Sequence, residues 1–85
     1  MAIVNLYTSL NCPYCVRARH LLDKKGVSYT EIRVDLQPEK RDEMIALTGK
    51  RTVPQIFINQ ENIGGCDDLY ALEAAGKLDN LLANN

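Results

Sequence analysis

The stretch Asn11–Leu22, NCPYCVRARHLL, sets two cysteines three residues apart and runs directly into a helical pattern. Pro13 suits the first position of a helix, where its missing N–H leaves nothing unpaired. Val16, Ala18, Leu21 and Leu22 supply apolar helical positions, and Gly26 marks a stop. Upstream, IVNLYT (Ile3 to Thr8) alternates apolar and polar residues and reads as a strand. Downstream, YTEIRV (Tyr29 to Val34) reads as a second strand. A strand, a helix and a strand in succession imply a parallel pair with a right-handed crossover.

The pattern continues outward from there. PEKRDEMIALTG reads as a helix with Pro38 near its start, Glu39 in its first turn and Gly49 after its end. PQIFIN (Pro54 to Asn59) is a third strand, and NIGG a short fourth, joined as an antiparallel hairpin. CDDLYALEAAG reads as a helix with Asp67 and Asp68 in its first turn, where the helix dipole favours carboxylates. Leu78, Leu81 and Leu82 fit a short final turn or helix. The order β-α-β-α-β-β-α predicts an α/β fold with a four-stranded mixed sheet and helices on both faces.

The chain has 85 residues and is read as one domain, residues 1–85. A domain of this size buries roughly 60% of the surface its unfolded chain exposes, and 46% hydrophobic content supports a core without disulfide staples. The net charge of −1 has no basic stripe, which argues against nucleic acid as a partner. No apolar run reaches the length of a bilayer span. The beginning, MAIVNLYTSL, lacks the features of a signal peptide. A cytoplasmic, reducing location is therefore expected. Three cysteines, an odd number, argue against a stapled secreted scaffold. In a reducing compartment a Cys-x-x-Cys pair is more often catalytic or metal-binding than structural.

With Pro13 as the first helical residue, Cys12 falls at the N-cap. Its sulfur then faces unpaired backbone N–H groups and the positive end of the helix dipole. Such settings lower a cysteine pKa from ~8.5 into the range of roughly 3.5–7.5. Cys15 lies one turn on, on the same helix face and further in. The pair reads as an exposed nucleophile and a protected resolving thiol. Zinc competes poorly, because a structural site takes four ligands and the chain adds only Cys66 and His20. A purely structural bridge is weaker still, since so short a loop constrains little of the unfolded chain.

Cys12-Pro13-Tyr14-Cys15, Thr52-Val53-Pro54 and Gly64-Gly65-Cys66-Asp67-Asp68, in this order and spacing, resemble a dithiol glutaredoxin. The resemblance runs from Ile3 to about Leu82. It implies a thioredoxin-like fold with three main helices and glutathione-dependent reduction of protein disulfides and protein–glutathione mixed disulfides. Glutathione enters as co-substrate, with no permanently bound cofactor and no metal. The expected partners are glutathione and disulfide-containing or glutathionylated proteins, met by a monomer without a membrane.

The resemblance also implies a glutathione site. Only about 5–6% of X–Pro bonds are cis, yet the family pattern implies a cis Val53–Pro54 bond facing Cys12. Main-chain groups of Val53 would then capture the cysteinyl backbone of glutathione in strand-like fashion. Thr52 belongs to the same turn, and Tyr14 would wall the groove. Gly65 would allow close approach, and the N–H groups of Cys66 and Asp67 would bind the γ-glutamyl carboxylate. The Asp67 carboxylate would take the neighbouring ammonium. One departure stands out: many family members carry Lys three residues before the first cysteine, where this chain has Ser9. Lys50 and Arg51, just before the turn, are the candidates to replace that charge.

Other residues carry blander readings. His20 is expected to pack or face solvent, Arg17 and Arg19 to form a solvated face, and Met44, Ile45, Phe57 and Ile58 to fill the core. Two rival functions remain: a redoxin reduced by thioredoxin reductase, and a glutathione-assisted iron–sulfur cluster carrier. The anion-binding glycines argue against the first. The stiff Pro13 and the competing Cys15 argue against the second.

Overall fold

A computed structural model describes residues 2–83. Its elements are β1 (Val4–Thr8), α1 (Pro13–Lys24), β2 (Thr30–Arg33), α2 (Pro38–Thr48), β3 (Gln55–Ile58), β4 (Glu61–Gly64), α3 (Cys66–Ala74) and α4 (Leu78–Ala83). The sheet order is β2-β1-β3-β4, with β1 parallel to β2 and antiparallel to β3, and β3 antiparallel to β4. The expected mixed sheet is present, and the closing leucines form α4. Strand ends differ from the sequence reading by one residue, because terminal residues such as Ile3 and Tyr29 lie outside the ladder.

The period of two along each strand decides which helix packs where. Val4, Leu6, Ile56 and Ile58 face one side, where Ala18, Leu21 and Leu22 of α1, Leu69 of α3, and Leu78 and Leu82 of α4 cover them. Tyr7 and Phe57 face the other side, with Val34, just after β2, and Met44 of α2. Their rings meet edge-on, with centroids 5.7 Å apart. Met44, Phe57 and Ile58 are therefore core residues, with Ile45 partly buried beside them.

Turn chemistry fixes the connections. α2 ends at Gly49, whose φ of 73° is the left-handed cap that glycine adopts without a steric cost. Asn59 and Gln60 take φ of 52° and 71°, matching the two-residue hairpin turn whose twist suits paired strands. This hairpin carries the chain from β3 back along β4 to the start of α3, beside the end of α1 that bears the cysteines.

Candidate active site

Between β1 and α1 the chain turns through Asn11, whose φ is 58°. Asparagine tolerates this left-handed conformation better than most residues. Cys12 follows in an extended conformation (φ −112°, ψ 98°) as the N-cap of α1, with Pro13 opening the helix. The N–H of Cys15 donates to Cys12 Sγ at 3.1 Å, so the sulfur takes the place of a capping oxygen and faces an orphan helix donor. The two cysteines are joined as a disulfide, with Cα atoms 5.1 Å apart. Cys12 is half-buried, whereas Cys15 is 0% exposed. The two sulfurs of the first helical turn thus differ in exposure, with Cys12 the more accessible.

The second wall is the turn entering β3. The Val53–Pro54 peptide is cis, and the Val53 carbonyl oxygen lies 3.7 Å from Cys12 Sγ. Gln55, buried at the start of β3, donates from Nε2 to the carbonyl of Thr52 (3.0 Å) and to its Oγ1 (3.3 Å). One side-chain amide therefore ties the residue before Val53 to the sheet. Gln55 belongs to no motif in the sequence. Its position in a strand run gives no sign that its amide turns back toward Thr52.

The third wall is the N-terminus of α3. Gly64 ends β4 with φ of 112°, a conformation that favours glycine. Gly65 is the N-cap of α3, and its N–H donates to Asp68 Oδ2 at 3.0 Å. Asp68 thus satisfies one backbone donor of this segment. Cys66 is 4% exposed. Burial pushes its thiol pKa above the ordinary value; the positive charge of Arg17 opposes that shift and Asp67 adds to it.

An open groove of about 210 Å³ joins the second and third walls. Tyr14, Thr52, Val53, Pro54, Gly65, Cys66 and Asp67 line it together with Lys50, Gln55 and Asp68. Arg51 is exposed and lies outside that lining, so of the two cations considered for the place of the Ser9 position, Lys50 is the one in the groove. Tyr14 is 54% exposed and lines the groove rather than packing inward. His20 is exposed.

The expected solvated face of α1 is more structured than its composition indicates. Arg19 pairs with Glu31 at 2.7 Å, and the same carboxylate oxygen accepts the hydroxyl of buried Thr8 at 2.7 Å. The Arg17 guanidinium lies 5.9 Å from the Tyr14 ring centroid and 5.5 Å from that of Tyr70. An arginine on a helix gives no sequence signal for a stack completed by a residue 53 positions away.

A sheet of this order, a Cys-x-x-Cys pair capping the first helix and a cis-proline turn against the half-buried Cys12 sulfur define a thioredoxin-like dithiol redox protein. The Glutaredoxin family model matches residues 4–63. Glutaredoxin 3 of Escherichia coli (strain K12) is 58% identical over 82 residues, covering 96% of this chain and 99% of that protein. The solution structure of a glutaredoxin from Brucella melitensis is 54% identical with a TM-score of 0.85, covering 96% of this chain and 89% of that one. The crystal structure of a buckwheat glutaredoxin–glutathione complex is 32% identical with a TM-score of 0.88, covering 95% and 76%. The chain belongs to the glutaredoxin family and is a glutathione-dependent thiol–disulfide oxidoreductase with a redox-active cysteine pair.

Proposed function

We propose that this chain, acting as one domain and as a cytoplasmic monomer, uses Cys12 as nucleophile and Cys15 as resolving thiol. Its substrates are glutathionylated proteins and protein disulfides. The carrying observation is the 3.7 Å approach of Cys12 Sγ to the Val53 carbonyl at one edge of the groove. With a protein–glutathione mixed disulfide, the Cys12 thiolate attacks the glutathione sulfur. A Cys12–glutathione disulfide forms, and the protein leaves as a thiolate that takes a proton. A second glutathione thiolate attacks the bound glutathione sulfur, releasing glutathione disulfide and the Cys12 thiolate.

With a protein disulfide, Cys12 attacks one substrate sulfur and the other leaves as a thiolate. Cys15, once deprotonated, then attacks the Cys12 sulfur and frees the second substrate thiol. Two glutathiones reduce the resulting Cys12–Cys15 bridge and become glutathione disulfide. In this reading Val53 presents its main-chain groups to the cysteinyl unit of glutathione. Gly65, Cys66 and Asp67 receive the γ-glutamyl end, while Tyr14, Thr52 and Pro54 shape the groove. The glutathione complex of the buckwheat relative supports the choice of ligand.

The test is turnover of a glutathionylated peptide by the purified protein, coupled either to glutathione with glutathione reductase or to thioredoxin reductase. Turnover with the first couple and not the second is expected. The reverse pattern would assign the chain to the thioredoxin-reductase-linked redoxins. Visible absorbance of freshly purified protein tests the cluster-carrier alternative, and a colourless protein is expected.

A further inference from the structure

The guanidinium of Arg17 bridges two aromatic rings on two helices. It lies 5.9 Å from the centroid of Tyr14, which lines the groove, and 5.5 Å from that of Tyr70 on α3. Both distances are within the range at which a cation is held by a ring face. The Tyr70 hydroxyl donates to the Arg17 carbonyl at 3.1 Å, so main chain and side chain of one residue are tied to the same α3 tyrosine. Arg17 is exposed, and among the described residues no carboxylate stands within ion-pair distance of it. Among the described residues its charge therefore has no carboxylate partner.

The need for that charge follows from what surrounds the start of α3. Asp67 and Asp68 both line the groove, and two carboxylates repel an incoming one. Of the lining residues, only Lys50 is cationic, and it belongs to the turn before β3 rather than to α1 or α3. Arg17 reaches the α3 side: its positive charge acts on the Cys66 thiol at the first position of that helix. An arginine stacked on two rings also stiffens them, because its planar fork is pre-organised in a way that a lysine ammonium is not.

We propose that Arg17 is a specificity-determining positioning residue for the γ-glutamyl end of glutathione. It holds the Tyr14 ring in place as the groove wall and offsets the repulsion of Asp67 and Asp68 toward the γ-glutamyl carboxylate. The inference rests on the proposed reading of the groove as the glutathione site.

The test uses one cysteine peptide in two mixed disulfides, with glutathione and with cysteinylglycine, which lacks the γ-glutamyl unit. Release of the peptide thiol by pre-reduced protein, without free glutathione, is followed in single turnovers. Arg17→Ala is expected to slow the glutathionyl peptide by about three- to ten-fold and to leave the cysteinylglycyl peptide within about two-fold. Arg17→Lys, which keeps the charge and gives up the planar stack, is expected to fall between. For the wild type, rising salt should erode the preference for the glutathionyl peptide. Equal losses on both peptides would mean that Arg17 only supports the helix, and no loss on either would remove it from recognition altogether. A wild type that does not prefer the glutathionyl peptide would instead overturn the reading of the groove itself.

Discussion

Cys12 Sγ and the Val53 carbonyl oxygen stand 3.7 Å apart, although 41 residues separate them in the chain. In the proposed reading, a peptide whose main chain pairs with Val53 brings its own sulfur toward Cys12. Main-chain capture of this kind reads the backbone and leaves side chains free.

The unequal exposure of the two active cysteines predicts unequal consequences. Cys12→Ser should abolish both reactions, lowering each by at least about a thousand-fold, as expected when the attacking atom is removed. Cys15→Ser should keep deglutathionylation and lose most protein-disulfide reduction, because only the second reaction needs an internal thiol. Parallel assays with a glutathionylated peptide and a disulfide-bonded protein check this. Equal loss of deglutathionylation in both variants would contradict the assigned roles.

Gly64 and Gly65 should separate stability from binding. A Cβ at Gly64 would run into the Asp68 carboxylate, and φ is 112° there. Gly64→Ala should therefore cost about 1–3 kcal/mol, a fall in melting temperature of about 4–8 °C for each kcal/mol. At Gly65 φ is −95°, and the nearest atom to an added Cβ is the Pro54 carbonyl oxygen at 3.4 Å. Gly65→Ala should fold well but crowd the groove, raising the KM for a glutathionylated substrate by about ten-fold, the equivalent of about 1.4 kcal/mol. Thermal melts and steady-state kinetics on both variants decide the matter. A Gly65→Ala protein with unchanged KM would place the ligand elsewhere.

The cation that stands in for the usual lysine at the Ser9 position should be Lys50 rather than Arg51, because only Lys50 lines the groove. An exposed ion pair contributes under about 1 kcal/mol. Lys50→Ala should therefore raise the apparent KM for glutathione by no more than about five-fold, and Arg51→Ala by less. Kinetics with both single variants and the double variant rank them. A larger effect from Arg51 would show that this side chain swings toward the ligand when it binds.

The elements and their order were readable because periodicity, proline starts and glycine stops all pointed the same way. Pro13 and Pro38 open helices, Gly49 closes one, and alternation in Val4–Thr8 sorts Leu6 from Tyr7 onto opposite faces. The cysteine pair was readable because its chemistry depends on local helix geometry. What could not be read depends on side chains meeting across the fold. The Gln55 amide turns back on Thr52, Arg17 finds Tyr70, and Glu31 accepts from both Thr8 and Arg19. Arg17 and Arg19 look alike in sequence, two residues apart, yet one stacks on rings and the other pairs with a carboxylate. Only the placement of α3 and β2 distinguishes them.

Cys66 should stand outside catalysis while remaining slowly reactive. Burial favours the neutral thiol at its sulfur and Asp67 adds to that, while Arg17 opposes it. The start of α3 also favours a thiolate, but burial prevails and the pKa is raised. At neutral pH the thiolate fraction is therefore below that of a free cysteine, and alkylation should be slow and should speed up as pH rises. A thiol with a raised folded-state pKa contributes stability that is fully present below the unfolded-state value of about 8.5. That contribution is lost as pH climbs from there through the folded-state value. Cys66→Ser should accordingly flatten the alkaline decline in stability relative to wild type. Its activity should stay within about two-fold, since the backbone N–H at this position does not depend on the side chain. Intact-mass measurements during treatment with excess glutathione disulfide should find Cys12 modified or bridged to Cys15 first, and Cys66 only later. If Cys66→Ser lost as much activity as Cys12→Ser, the third thiol would belong to the catalytic cycle, and the two-thiol mechanism would have to be rewritten around it.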